Sequence, residues 1–150
     1  MSEEQSPFEE QPASSVREAQ IQAALRRQRF YDTVMKVIEG LPEGLRSRLE
    51  NVDVVAADWP TPSQLGRNNI RSRFALLGLY EGVPHTRRGR GYGMVLPDKI
   101  TIFRKPIEAR CRYWSDVEKE IGRVVRHEIA HHFGFDEQTL RDIEGDKSDK

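Results

Sequence analysis

Apolar side chains in the first third of the chain recur at the three- and four-residue spacing of an amphipathic helix. The pattern begins at Ser14 or Ser15, and Gly40 occupies a position where a glycine commonly ends a helix. We therefore expect one long helix with an apolar face turned toward the core. The apolar positions that define this face are Ile21, Ala24, Tyr31, Val34, Met35 and Ile38.

The middle of the chain changes to short apolar runs that are typical of β-strands. After LPEGLRSRLENV, which predicts a short helical turn, the run Val52–Ala56 is β-prone and is stopped by the prolines of Trp59–Pro62. Leu76–Tyr80 is apolar, and Lys99–Phe103 alternates between apolar and polar residues. These runs predict a small β-sheet.

The strand predicted at Lys99–Phe103 leaves two alternatives open. It is either an ordinary buried strand or an edge strand whose backbone groups hold an extended peptide by strand addition. The sequence favours the two alternatives about equally.

A second long helix is predicted near the C-terminus. The tetrapeptide SDVE at 115–118 matches a capping box, in which the serine and the glutamate bind amides that the first helical turn leaves unpaired. The helix is expected to run to about Phe133, because Gly134 can adopt the left-handed conformation of a C-cap. Long helices at both ends of a small sheet indicate an α+β domain.

The length of 150 residues fits one small globular domain. The first 14 residues are polar and acidic and cannot bury enough apolar surface to order themselves. The last six residues, GDKSDK, also lack the apolar side chains that ordering would require. We expect a disordered tail at 1–14, a single domain at 15–144 and a second disordered tail at 145–150.

Charge and cysteine content narrow the possible functions. The 24 basic and 24 acidic side chains cancel, so no long-range field favours nucleic acid or a membrane surface, and we expect neither as a partner. Cys111 is the only cysteine, which excludes an intramolecular disulfide and suits a reducing compartment. The N-terminus lacks the pattern of a secretory signal, and no apolar run is long enough to cross a bilayer. These features predict a soluble, cytoplasmic protein.

The motif HEIAH, which contains His127, Glu128 and His131, carries the clearest chemistry in the chain. On a helix, residues four apart lie one above the other at a spacing of about 6 Å, so both imidazoles can bind one metal ion. His132 points about 100° away and is not expected to bind the same ion. With a single cysteine in the chain, the metal ligands must be histidines and carboxylates, which predicts a Zn²⁺ site.

A catalytic zinc ion needs a third protein ligand. A chain reversal at Gly134 would return the following carboxylates toward the metal, and Glu137, ten residues after His127, lies at the third-ligand position of the pattern HExxHxxGxxH. Asp136 is the neighbouring alternative, and Glu144 is a further candidate if the next helix folds back. We therefore expect Glu137 to complete the metal site.

The same motif supplies a catalytic base. Zinc lowers the pKa of a bound water and polarises a carbonyl group, while Glu128 takes the proton of the water and passes it to the leaving amine. These steps hydrolyse a peptide bond, so the sequence predicts a zinc-dependent metallopeptidase with a peptide or protein substrate. Two alternatives stay open: a metal-bound, non-catalytic interaction domain, and nucleic-acid binding through the arginine clusters.

Several separated segments also carry a family resemblance. They resemble, in order, the minimal zincin-like metallopeptidases, a family of small bacterial proteins, and the resemblance covers roughly Phe30 to Ile143. The segments are LPEGLRSRLENVDVV, LLGLYEGVP, RGRGYGMVLPDKITIFRKPI and RVVRHEIAHHFG.

The resemblance implies a compact core in which a small sheet packs against the active-site helix. It also implies a zinc ion held by His127, His131 and a carboxylate just after the glycine of HHFG. Family members usually carry aspartate at the position of Glu137. We therefore expect a minimal zincin-like fold in which the sheet packs against the HExxH helix and the long N-terminal helix.

Overall fold

The computed structural model describes residues 15–82 and 96–148, with side chains through Glu144. The predicted tail at 1–14 lies outside the described residues, as do residues 149–150 of the predicted C-terminal tail. The elements in chain order are α1 (Val16–Glu39), α2 (Glu43–Arg46), a 3₁₀ turn (Ser47–Leu49), β1 (Val52–Ala57), α3 (Pro62–Arg67), a 3₁₀ turn (Arg73–Ala75), β2 (Gly78–Glu81), β3 (Asp98–Phe103), α4 (Arg104–Glu108), α5 (Trp114–Phe133) and α6 (Glu137–Ser148).

The three described strands form one sheet in the order β1-β3-β2. β1 runs parallel to β3, with Val54 opposite Ile100, and β2 runs antiparallel to β3, with Tyr80 opposite Ile100. β3 is therefore the central strand, and its Ile100 and Ile102 are fully buried. The buried-strand alternative for 99–103 is confirmed and the edge-strand alternative is wrong. Among the described strands, β2 forms one edge.

The long N-terminal helix is confirmed, together with both of its predicted ends. The side-chain oxygen of Ser15 accepts a hydrogen bond from the Glu18 amide at 3.1 Å, which satisfies one of the amides that the first turn leaves unpaired. Gly40 follows the last helical residue, and its amide donates to the carbonyl of Lys36. The apolar face of α1 is buried at Phe30, Val34 and Ile38. Ile21 and Tyr31, which were expected on this face, are exposed, because only the C-terminal half of α1 contributes side chains to the core.

The HExxH helix, α5, begins slightly earlier than predicted. It starts at Trp114, and the Asp116 carboxylate accepts a hydrogen bond from the backbone amide of Tyr113 at 3.2 Å. Ser115 thus lies inside the first turn and not at the N-cap. The predicted capping box is wrong, because Asp116, at the third helical position, binds the amide of the actual N-cap residue, Tyr113. The predicted end is confirmed: Gly134 has a φ of 69° and its amide donates to the carbonyl of Ala130.

Two short helices and one longer one add to the predicted elements. α3 has a full capping box, because Thr61 Oγ1 accepts from the Gln64 amide and Gln64 Oε1 accepts from the Thr61 amide. The sequence TPSQ, with proline as the first helical residue, carries this signal. α6 keeps a helical backbone through Ser148, so it enters the segment 145–150. The limits of the single domain at 15–144 stay a prediction.

The core lies between the sheet, α1 and α5. Each of its fully buried aliphatic or aromatic side chains stabilises the fold by roughly 1.5–3 kcal/mol relative to exposure. The architecture is α+β, with the sheet packed against the HExxH helix and the N-terminal helix, as predicted. The fully buried members are Phe30, Val34, Leu45, Ile100, Ile102, Ile107, Val117, Ile121, Val125 and Ile129.

No helix within residues 15–82 and 96–148 combines the length and the apolar content that a bilayer span requires.

Strand β2 lies directly against α5 at a glycine. A Cβ atom placed on Gly78 would lie 2.5 Å from Cγ1 of Val124 and 3.3 Å from the carbonyl oxygen of Thr101. Val124 is buried and β-branched, so its side chain has little freedom to move aside. Gly78 therefore allows an approach of β2 to α5 that a larger residue would prevent.

We predict that Gly78→Ala destabilises the protein by about 1–3 kcal/mol, because the added methyl group overpacks the contact with Val124. Urea unfolding followed by circular dichroism measures the change. Gly66→Ala is the matched control: it lies in α3 with no atom near the added Cβ, and it should be neutral or stabilising by up to about 1 kcal/mol. Equal stability of the two variants would contradict the proposed contact.

Candidate active site

The HExxH motif lies where the buried face of α5 meets the surface. Val117, Ile121 and Val124 of this helix are buried, whereas His127 and His131 are exposed. Both histidines line a cleft of about 480 Å³, with α5 on one side and the segment 75–80 on the other. The motif therefore lies at the edge of the core, in the wall of a cleft.

The two motif histidines form a matched pair in this cleft. The ring centroids of His127 and His131 are 6.4 Å apart and the ring planes differ by 12°. Imidazole nitrogens are preferred zinc ligands, and one helical turn separates the two rings. In residue type and in placement, this pair fits two of the ligands of a shared zinc ion.

Glu128 reaches the cleft from the same turn of α5 and is held by β2. Its Oε2 accepts a hydrogen bond from the backbone amide of Tyr80 at 3.2 Å. Burial raises the pKa of Glu128, while the Tyr80 amide and the two motif imidazoles lower it, and the net pKa lies above the ordinary glutamate value. A half-buried, oriented carboxylate with a raised pKa has the properties of a general base.

The structure does not bring Glu137 to the histidine pair. The Glu137 side chain is 92% exposed and lies 3.9 Å from the guanidinium of Arg141, one turn further along α6. Among the described residues, no three histidine, cysteine or carboxylate side chains form a group that could hold a metal ion. The assignment of Glu137 as the third ligand stays a prediction.

The two competing carboxylates are also engaged elsewhere. Asp136 Oδ1 accepts the Thr139 amide at 2.7 Å, and this hydrogen bond lowers the pKa of Asp136. Glu144 lies 3.3 Å from the guanidinium of Arg126. The next helix does fold back, because α6 packs Ile143 against α2, but this packing directs Glu144 to Arg126 and away from the cleft.

Stacked rings of β2 and α5 lie beside the motif and support β2. The rings of Tyr80 and His132 stack with centroids 3.7 Å apart, and the Tyr80 hydroxyl donates to Asp98 at 2.9 Å. His132 Nε2 lies 3.8 Å from the same carboxylate. His132 thus points away from the histidine pair, as predicted. The contribution of Tyr80 was not predicted, because a backbone amide leaves no residue-specific signal in a sequence.

Two arginines outside the predicted set of site residues also line the cleft. Arg123 lies one helical turn before His127, and Arg110 lies in the turn that precedes α5. Arg123 forms an ion pair with Glu120 on the same helix. The four-residue spacing from Arg123 to His127 is the signal that could have placed this arginine in the site.

A comparison with known families gives a match over the part of the chain that contains this cleft. The family model described as zincin-like metallopeptidase matches residues 49–146, about two thirds of the chain. The matched segment begins before β1 and includes both sheet edges, the cleft and the HExxH motif. No curated protein matches the chain.

Cys111 lies close to the cleft in sequence but lacks the properties of a nucleophile. Burial raises the pKa of its thiol, and the carboxylates of Glu120, Asp116 and Glu108 raise it further, to about 11. A thiol with this pKa is almost fully protonated at neutral pH, and the thiolate is the reactive form. Cys111 is therefore not a candidate nucleophile.

We predict that Cys111 in the folded protein reacts with iodoacetamide at pH 8 about a hundredfold more slowly than a free cysteine, because so little thiolate is present. Mass spectrometry of the alkylated chain over time gives the rate. The same chain unfolded in urea is the control and should react at the ordinary rate. Equal rates in the folded and unfolded chains would contradict the raised pKa.

Proposed function

Because the chain belongs to the zincin-like metallopeptidase family, we propose that it is a zinc-dependent peptidase that hydrolyses peptide bonds in the cleft between α5 and β2. One observation carries the proposal: the Glu128 carboxylate is fixed by the Tyr80 amide beside a pair of zinc-type imidazoles. We place this activity in the cytoplasm, since the single cysteine suits a reducing compartment.

The proposed metal ligands are His127, His131 and Glu137. Zinc, when bound, supplies Lewis-acid activation of water and of the peptide carbonyl. Glu137 is exposed at the start of α6, so it can complete the ligand set only if the link at 134–136 changes conformation. The left-handed Gly134 is the residue in that link with the greatest conformational freedom.

Glu128 is proposed to move the proton. It accepts a proton from the attacking water and delivers it to the nitrogen of the leaving amine. The Tyr80 amide holds Oε2, so the carboxylate faces the cleft in one orientation before substrate arrives. Such preorganisation reduces the entropy that is lost on reaching the transition state.

The edge of β2 is proposed to hold the substrate in an extended conformation. The Phe103 amide donates to the Leu77 carbonyl at 2.9 Å, so Leu77 and Leu79 direct their backbone groups toward β3. Gly78 and Tyr80 then direct theirs toward the cleft, as the bond from the Tyr80 amide to Glu128 shows. Because the Tyr80 amide already donates to Glu128, we propose that a peptide adds to this edge by strand addition through the backbone groups of Gly78.

We predict that Glu128→Gln retains zinc but lowers kcat/KM for peptide hydrolysis on the order of 10²- to 10⁴-fold, because the amide cannot accept the proton. Cleavage of a mixed peptide library by the zinc-loaded chain, read by mass spectrometry, measures the loss. Glu118→Gln, on the same helix but paired with Lys36 at 2.7 Å, is the control and should keep full activity.

Retained turnover in Glu128→Gln would remove the proposed role of the carboxylate. If the zinc-loaded chain cleaves no peptide in the library, the alternative of a non-catalytic interaction domain replaces the peptidase. Cleavage that a chelator abolishes and zinc restores excludes that alternative.

A further inference from the structure

The charge of the cleft is uneven. Glu128 is the one carboxylate among the described residues that line it, whereas Arg110 and Arg123 contribute two permanent positive charges. Arg110 is exposed and forms no ion pair within residues 15–82 and 96–148. Arg123 is partly neutralised by Glu120, whose two carboxylate oxygens face its guanidinium. A ligand in this cleft therefore meets donors for a carboxylate that the proposed hydrolysis does not use.

The arginines occupy one end of the cleft. Arg123 precedes His127 by four residues, which corresponds to about 6 Å along the axis of α5. Arg110 precedes α5 altogether and follows the short helix α4. The histidine pair and Glu128 lie toward the C-terminal end of the same helix. The cleft is thus divided into a reacting end and a guanidinium end.

The direction of β2 determines which half of a bound peptide would lie near the two arginines. Gly78 contacts Val124, and Tyr80, two residues later, bonds to Glu128, so β2 and α5 advance in the same direction. An extended peptide that pairs antiparallel with β2, the more frequent arrangement of paired strands, runs the opposite way. Its C-terminal half then extends from Glu128 toward the guanidinium end.

The spacing agrees with a contact near the scissile bond. An extended chain advances about 3.3 Å per residue, so two residues span the roughly 6 Å between the levels of His127 and Arg123. A guanidinium offers several N–H donors in a fixed plane that matches a carboxylate. Arg123 can therefore bind a second carboxylate while it remains paired with Glu120.

We propose that the cleft selects peptides that carry a carboxylate, from an acidic side chain or from the chain terminus, one or two residues after the scissile bond. Arg110 is the principal specificity residue, and Arg123 is the second, attenuated by Glu120. The proposal rests on the proposed peptidase function, because it names the substrate class of that same cleft.

The test measures peptide binding separately from turnover. Fluorescent hexapeptides are titrated into the full-length, zinc-loaded Glu128→Gln variant, with one glutamate moved along an otherwise neutral sequence. We expect a glutamate in the C-terminal half to bind about fivefold to tenfold more tightly than glutamine at the same position. Peptides with a free and an amidated C-terminus separate a terminal carboxylate from a side-chain carboxylate.

Arginine variants, made in the same Glu128→Gln chain, assign the effect. Arg110→Ala should abolish most of the preference for glutamate, and Arg110→Glu should turn it into a preference for lysine. Glu120→Gln should strengthen binding of the acidic peptide, since it releases Arg123. Arg17→Ala, an exposed arginine on α1 outside the cleft, is the control for net charge and should change nothing.

Equal binding of the glutamate and glutamine peptides overturns the proposal, and so does a preference that survives in the Arg110→Ala/Arg123→Ala double variant. Turnover by the native zinc-loaded chain is scored independently. Cleavage without an acidic preference would leave the peptidase and remove the specificity. Arginine-dependent binding without any cleavage would support the carboxylate site and count against the peptidase.

Discussion

The site depends on the close approach of one edge strand to one helix. Because Gly78 has no side chain, β2 lies directly on Val124 of α5. This contact determines the distance between the strand and the helical turn that carries the HExxH motif. At that distance the Tyr80 amide donates a hydrogen bond to Glu128, and the Tyr80 ring stacks on the ring of His132. The orientation of the Glu128 carboxylate beside the cleft therefore depends on this packing contact.

The charged and titratable side chains differ between the two ends of the cleft. Burial against β2 raises the pKa of Glu128, which suits a group that must accept a proton and release it again. The two imidazoles beside it are exposed and can reach a metal ion, whereas Arg110 and Arg123 lie beyond the reacting end. The proposed catalysis and the proposed substrate selection would thus both use residues of α5 and β2.

Local patterns in the sequence predicted most of the elements, and tertiary contacts account for what was missed. Helical periodicity gave α1 and α5, and the left-handed glycine gave the end of α5. The order of the strands could not be read from the sequence, because burial of 99–103 is compatible with either a central or an edge position. The motif predicted the histidines and Glu128 as a group, but the packing of α6 on α2, which decides where Glu137 points, has no local signature.

The zinc content of the purified chain tests the central claim most directly. It should be measured in the native chain, in His131→Ala and in His132→Ala, after reconstitution with zinc and removal of loosely bound metal. The account predicts about one zinc ion per chain in the native protein and loss of that zinc in His131→Ala. His132→Ala should keep the zinc ion, because His132 stacks on Tyr80 and is not a proposed metal ligand. A native chain without zinc, or equal zinc in His131→Ala, would contradict the proposed metal site.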